Sequence, residues 1–116
     1  VLESDGATAY FAADTYYGRF MERIAREHKP NVVLMPVASF RLPPTMGGTS
    51  ALSAARILSP EVIIPIHLGI TPRNPLLRTS QTPESFRDRL RQAGSAGELV
   101  HLREGESWSN AFAAVR

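Results

Sequence analysis

The sequence predicts an α/β fold built on a largely parallel sheet, and three observations lead there. Two short apolar runs, Val32-Val33-Leu34-Met35 and Val62-Ile63-Ile64, are continuous rather than alternating, as strands buried on both faces are. Segments with helical apolar spacing lie before and between them, giving the strand–helix–strand order of right-handed crossover units. An Asp5-Gly6 pair between Val1-Leu2-Glu3-Ser4 and the run from Ala7 to Ala13 signals a tight hairpin, which adds one antiparallel strand.

In chain order, the hairpin comes first and its second strand ends at Ala13-Asp14-Thr15. From Thr15 to His28, Tyr17, Phe20, Met21, Ile24, Ala25 and His28 recur at helical spacing, opposite a charged face that offers Glu22–Arg26 and Arg23–Glu27 pairs. Asp14 is placed to cap that helix, and Pro30 stops it. The Val32–Met35 strand follows, then an irregular stretch from Ser39 to Gly48 containing Pro43-Pro44, Thr45, Met46 and Gly47-Gly48. A helix capped by Thr49 or Ser50 carries Ala51, Leu52, Ala55, Ile57 and Leu58 to Pro60. The next strand runs through Glu61-Val62-Ile63-Ile64-Pro65-Ile66 to His67; Pro65, lacking a donor, is expected to end it or to place it at an edge. After a long connection from Thr71 to Thr82, Thr82 and Pro83 open a helix with Phe86 and Leu90 inward. Leu99-Val100-His101-Leu102 is a last strand, Arg103-Glu104-Gly105-Glu106 a turn, and Trp108 and Phe112 are expected to pack back on the body.

Composition narrows the function classes. At 116 residues the chain is expected to form one domain. No apolar run approaches the ~20 residues that span a bilayer, so no membrane role is expected. There is no cysteine, which removes disulfides, thiolate metal sites and a cysteine nucleophile. The thirteen basic residues are all arginine except Lys29, and they are spread among acids, so a net charge of +2 gives no basic stripe and no nucleic-acid partner is expected. No signal peptide opens the sequence, and a cytoplasmic location is the default. A chain that starts inside a hairpin without methionine is expected to be a piece of a longer one.

The chemistry-bearing residues gather where parallel strands end, and ligands of open α/β sheets bind there. His67 follows one apolar strand and Asp14 another. Arg41, Arg73 and Arg78 lie on loops at the same end, where guanidinium groups can hold a phosphate or carboxylate of a small-molecule substrate; solvated loop charges are the plainer alternative. Thr45 and Met46 are candidate substrate-binding residues on the same side, Met46 and the paired Gly47-Gly48 being expected to shape a wall of the cleft. His28 and His101 are read as structural, His28 on the apolar side of its helix and His101 turned to solvent or a partner. A receiver-like signalling domain fits poorly, because no acidic pair accompanies Asp14 and Lys29 precedes Pro30 instead of following a late strand.

Ala13-Asp14-Thr15, Met35-Pro36, Thr45-Met46, Pro65-Ile66-His67 and Gly105-Glu106, in that order and at those intervals, resemble the carboxyl-terminal half of the metallo-β-lactamase fold. The branch most similar contains ascorbate-6-phosphate lactonase-like proteins and N-acylphosphatidylethanolamine phospholipase D. The resemblance covers essentially the whole chain and implies half of a four-layer αββα sandwich, one mixed sheet with helices on one side. It implies two divalent ions, zinc or manganese and conceivably iron, with Asp14 as bridging ligand and His67 as terminal ligand. The remaining ligands of that family lie in an HxHxDH motif and a further histidine of the amino-terminal half, none of which occurs in this sequence. The expected function is therefore that of a fragment of a metal-dependent hydrolase acting on an ester, lactone or phosphodiester. The alternative is a non-catalytic α/β module that self-associates as a homo-oligomer through the sheet face the missing half would cover.

Overall fold

A computed structural model describes residues 1–4, 6–12, 18–37, 48–66, 82–95, 97–103 and 105–108. Strands β1 (Leu2–Ser4), β2 (Ala7–Phe11), β3 (Val32–Pro36), β4 (Val62–Ile66) and β5 (Glu98–Leu99) form one sheet in that spatial order. Helices α1 (Phe20–His28), α2 (Gly48–Leu58) and α3 (Pro83–Gln92) connect β2 to β3, β3 to β4 and β4 to β5. The β1–β2 pair is antiparallel with Ser4 opposite Ala7, which leaves the two-residue loop that the Asp-Gly pair predicts, and Gly6 has the positive φ of 82° that such a turn needs. The other three pairs are parallel.

Side-chain alternation splits the sheet into two faces. On one, Tyr10, Val33, Met35, Ile63 and Leu99 meet Met21, Ala51, Ala54, Ala55, Phe86 and Leu90 of the three helices. The small alanines of α2 are buried in this core, and that helix packs beside α1 and α3. On the other, Val32, Val62 and Ile64 are covered by Val100, Leu102 and Trp108 as the chain returns from β5. Trp108 thus packs back as expected, whereas Phe112 lies outside the described residues. The mixed α/β sheet with its helices on one side agrees with the sequence reading.

The amino ends of the strands are tied together by Asn31. Its side-chain Oδ1 accepts from the Thr8 N–H at 3.0 Å and its own N–H donates to the Thr8 carbonyl at 2.8 Å. Its carbonyl accepts from Glu61 and Val62 N–H at 2.9 and 3.0 Å, so one residue joins β2, β3 and β4. Lys29 ends α1 and Ser59 follows α2, both in left-handed backbone (φ 47° and 45°), and each is followed by a proline that begins the approach to a strand.

Four sequence expectations need correction. Pro65 neither ends β4 nor marks a sheet edge, since β4 lies between β3 and β5 and continues to Ile66. Ile63, whose carbonyl accepts from Val100 at 2.8 Å, faces β5, and by alternation so does Pro65; the β5 ladder has ended by then, so the missing N–H forfeits no ladder bond. α1 starts at Phe20, after Gly18 and Arg19, which puts Asp14 too far upstream to be its N-cap. Phe20 is 43% exposed because the buried side of so short a helix centres on Met21, and Glu22 and Arg26 do not pair, although Arg23 and Glu27 do at 3.0 Å. β5 is shorter than expected, ending at Leu99, and His101 beyond it is half-buried beside Glu84 of α3.

Candidate functional site

β2, β3 and β4 all run toward one edge of the sheet. The register sets Phe11 beside Leu34 and Leu34 beside Ile64, and carries β3 and β4 together to Pro36 and Ile66. The Ala12 N–H extends the β2 ladder by donating to the Leu34 carbonyl at 2.8 Å. Described backbone therefore stops at Ala12, Val37 and Ile66 along a single edge. In sequence, Asp14 follows Ala12 by two residues and His67 follows Ile66 directly. β2 and β4 flank β3, so the strands leading to Asp14 and His67 are two strand spacings apart, about 10 Å.

Asp14 and His67 themselves lie outside the described residues, as do Arg41, Thr45 and Met46 of the connection after β3 and Arg73 and Arg78 of the connection after β4. The structure thus fixes the strands that lead to these side chains and not their mutual contacts. Pro36 and Pro65 belong to the same edge, side by side in the β3–β4 pairing with Met35 and Ile66.

The other two histidines are engaged elsewhere. His28 Nδ1 lies 3.4 Å from a Glu3 carboxylate oxygen, across from β1. His101 Nδ1 lies 3.1 Å from a carboxylate oxygen of Glu84 in the first turn of α3, a contact in which the carboxylate is the acceptor. The Glu84 carboxyl is held below the ordinary glutamate range, first by backbone N–H at the helix start and then by His101. The α3 start is itself well made: Thr82 Oγ1 accepts from Ser85 N–H at 3.0 Å and Ser85 Oγ accepts from Thr82 N–H at 2.8 Å, with Pro83 at the first helical position. Sequence reading found the Thr82 cap but missed the Glu84–His101 pair, because its partners are seventeen residues apart and neither stands in a motif.

Among the described residues no group of three or more His, Cys, Asp or Glu side chains could hold a metal ion. A carboxylate and a neutral imidazole suit Zn²⁺, Mn²⁺ or Fe²⁺, so the donor types of Asp14 and His67 fit such an ion. Two ligands do not complete a catalytic site, which needs at least three from protein.

A family model described as a Beta-lactamase superfamily domain matches residues 1–67, a span that opens at the hairpin and closes on His67. The chain belongs to this superfamily. Relatives of the superfamily domain include a "UPF0173 metal-dependent hydrolase" of Archaeoglobus fulgidus, 32% identical over 108 residues, covering 93% of this chain and 43% of the relative. A protein of the same description from Methanopyrus kandleri is 35% identical over 108 residues, covering 93% and 44%. Among solved structures, Igni18, a metallo hydrolase from the hyperthermophilic archaeon Ignicoccus hospitalis, superposes with a TM-score of 0.70 at 30% identity, over 90% of this chain and 41% of that one. The chain thus spans less than half the length of the curated relatives it matches.

Proposed function

We propose that this superfamily domain supplies two ligands to a divalent-metal centre of a hydrolase, Asp14 bridging two ions and His67 binding one of them. The observation that carries the reading is the shared edge: parallel β2 and β4, in register through β3, lead within two residues to a carboxylate, Asp14, and an imidazole, His67. The names of the relatives, metal-dependent hydrolase and metallo hydrolase, support it. The branch favoured is that of the lactonase-like and phospholipase D-like enzymes, with zinc or manganese, or else iron, as the ion. The rest of the ligand set comes from an amino-terminal half or another chain.

Asp14 and His67 would hold such ions together with the remaining ligands, and the ions would supply Lewis-acid activation of water for attack on an ester, lactone or phosphodiester. This chain's residues would do the rest at their own positions. The Asp14 carboxylate would have to be ionised to serve as a ligand. His67 must be neutral, with its second ring nitrogen held by a neighbour that fixes the ring orientation. Arg41, Arg73 and Arg78 would hold an anionic group of the small-molecule substrate, with Thr45 and Met46 shaping the wall. Cytoplasmic location is part of the same proposal. The test is hydrolysis of a lactone, an ester and a phosphodiester by the protein with its complementing half. Asp14→Ala and His67→Ala are expected to lower the rate at least ~100-fold, beyond the 10–100-fold typical of outer-shell changes, while His28→Gln leaves it unchanged. Equal rates in all variants would overturn the assignment.

One observation favours a second reading, a non-catalytic module that self-associates as a homo-oligomer. Leu2 is 73% and Phe11 57% exposed on the face away from the helices, and apolar surface of that kind drives association. Sedimentation of the chain alone, with and without Leu2→Ser and Phe11→Ser, separates the two.

A further inference from the structure

The opposite end of the sheet carries a cleft of about 440 Å³ between the last turns of α3 and the edge strand β5. Leu90 and Leu99 form its apolar floor, and Arg87, Arg91, Ser95 and Glu98 line it. It lies at the amino end of β5, away from the edge that leads to Asp14 and His67, so it is separate from the proposed metal centre.

Its polar groups form a donor set with one acceptor. Arg87 and Arg91 stand one helical turn apart on one side of α3, an arrangement of like charges that repels unless an anion lies between them. Arg87 is half-buried and oriented: one Nη2–H donates to the Leu99 carbonyl at 3.1 Å, leaving the other N–H groups of its planar fork. Arg91 is exposed and forms no ion pair among the described residues. Ser95 Oγ accepts from the Gly97 N–H at 3.2 Å, which leaves its hydroxyl hydrogen to donate. The Leu90 and Arg91 carbonyls at the end of α3 already accept, from Ser95 N–H at 3.0 Å and Gly94 N–H at 3.1 Å, and the guanidinium groups of Arg87 and Arg91 offset the partial negative charge of that helix end. Glu98 is the exception in this cationic lining, a carboxylate that only accepts.

Two guanidinium groups and a hydroxyl suit a tetrahedral oxyanion, and a carboxylate beside them suits one that still carries a proton. We propose that this cleft binds hydrogen phosphate, with Arg87, Arg91 and the Ser95 hydroxyl donating to its oxygens and Glu98 accepting its remaining P–OH hydrogen. Sulfate has the same shape and charge but no such hydrogen, so Glu98 repels it. The inference needs no metal and stands apart from the hydrolase reading.

The test is titration of the protein with inorganic phosphate and with sulfate by calorimetry, at fixed ionic strength near pH 7.5 with a chelator present. Saturable binding of one phosphate is expected, with sulfate at least tenfold weaker. Arg91→Gln, on an exposed side chain whose loss leaves the thermal midpoint in place, should weaken phosphate at least tenfold. Glu98→Gln should narrow the gap between the two anions. Absence of saturable phosphate binding, equal affinity for the two anions, or an Arg91→Gln protein that binds as tightly as the parent would overturn the proposal.

Discussion

The two faces of the sheet are both apolar, yet they are treated differently. Beneath the helices, Tyr10, Val33, Met35 and Ile63 are sealed by side chains from α1, α2 and α3. On the other face, among the described residues, cover comes from Val100, Leu102 and Trp108, at the β4–β5 side. Toward β1 that face shows Leu2 and Phe11 to solvent. A sheet meant to face water would alternate apolar with polar residues; Val32-Val33-Leu34-Met35 and Val62-Ile63-Ile64 do not. The difference teaches that the strands are composed for two covering layers, of which the helices are one. A second sheet on the open face is what a four-layer sandwich provides.

Two phenylalanines test that comparison directly, and they give the largest expected contrast. Phe86 is fully buried and Phe11 is 57% exposed. Phe86→Ala is expected to lower stability by about 3–5 kcal/mol, whereas Phe11→Ala should stay within about 0.5 kcal/mol in this chain. Urea denaturation measures both, and equal losses would mean that the open face is already covered. Next in size is Asn31→Ala, which strips the Thr8 N–H of its acceptor and unties β2 from β3 at the amino end; about 1–3 kcal/mol should be lost, by the same measurement. Lys29→Gly should act in the opposite direction. It relieves the left-handed backbone at the end of α1 and should raise stability by roughly 0.5–1 kcal/mol, provided that the strain sits at the helix–strand joints and not on either face.

The smallest expected effect is a pH dependence. The Glu84 carboxyl lies below its ordinary range when folded, so its stabilising contribution is present above the unfolded pKa of about 4.3 and fades as pH falls through the lower folded value. Glu84→Gln should therefore reduce stability slightly at pH 7 and not at pH 2, read as the shift in urea midpoint. A shift of equal size at both pH values would point to lost packing instead.

Much of the fold is written in local signals. The Asp-Gly turn, the Thr82–Pro83 helix start and the unbroken apolar runs each depend on neighbours within a few residues, and each appears where expected. The misses are of a different kind. Whether Pro65 interrupts a sheet depends on where β5 stops, which the sequence around Pro65 does not contain. Phe20 fits the helical spacing, but with the helix starting only there, the sheet contact falls on Met21. His101 lies past the end of β5, and its partner Glu84 belongs to another element, which the residues around His101 do not show. For the site, the sequence displays the ligand types and their place after strand ends, and the structure adds that those strands share one edge. The remaining ligands were never legible, since no HxHxDH motif is present.

The most direct test of the metal assignment is the metal content of the protein by elemental analysis, beside Asp14→Ala and His67→Ala. The expected result is bound zinc, manganese or iron in the parent, lost from both variants. Metal retained at full stoichiometry in either variant would contradict the placing of these two residues in one centre.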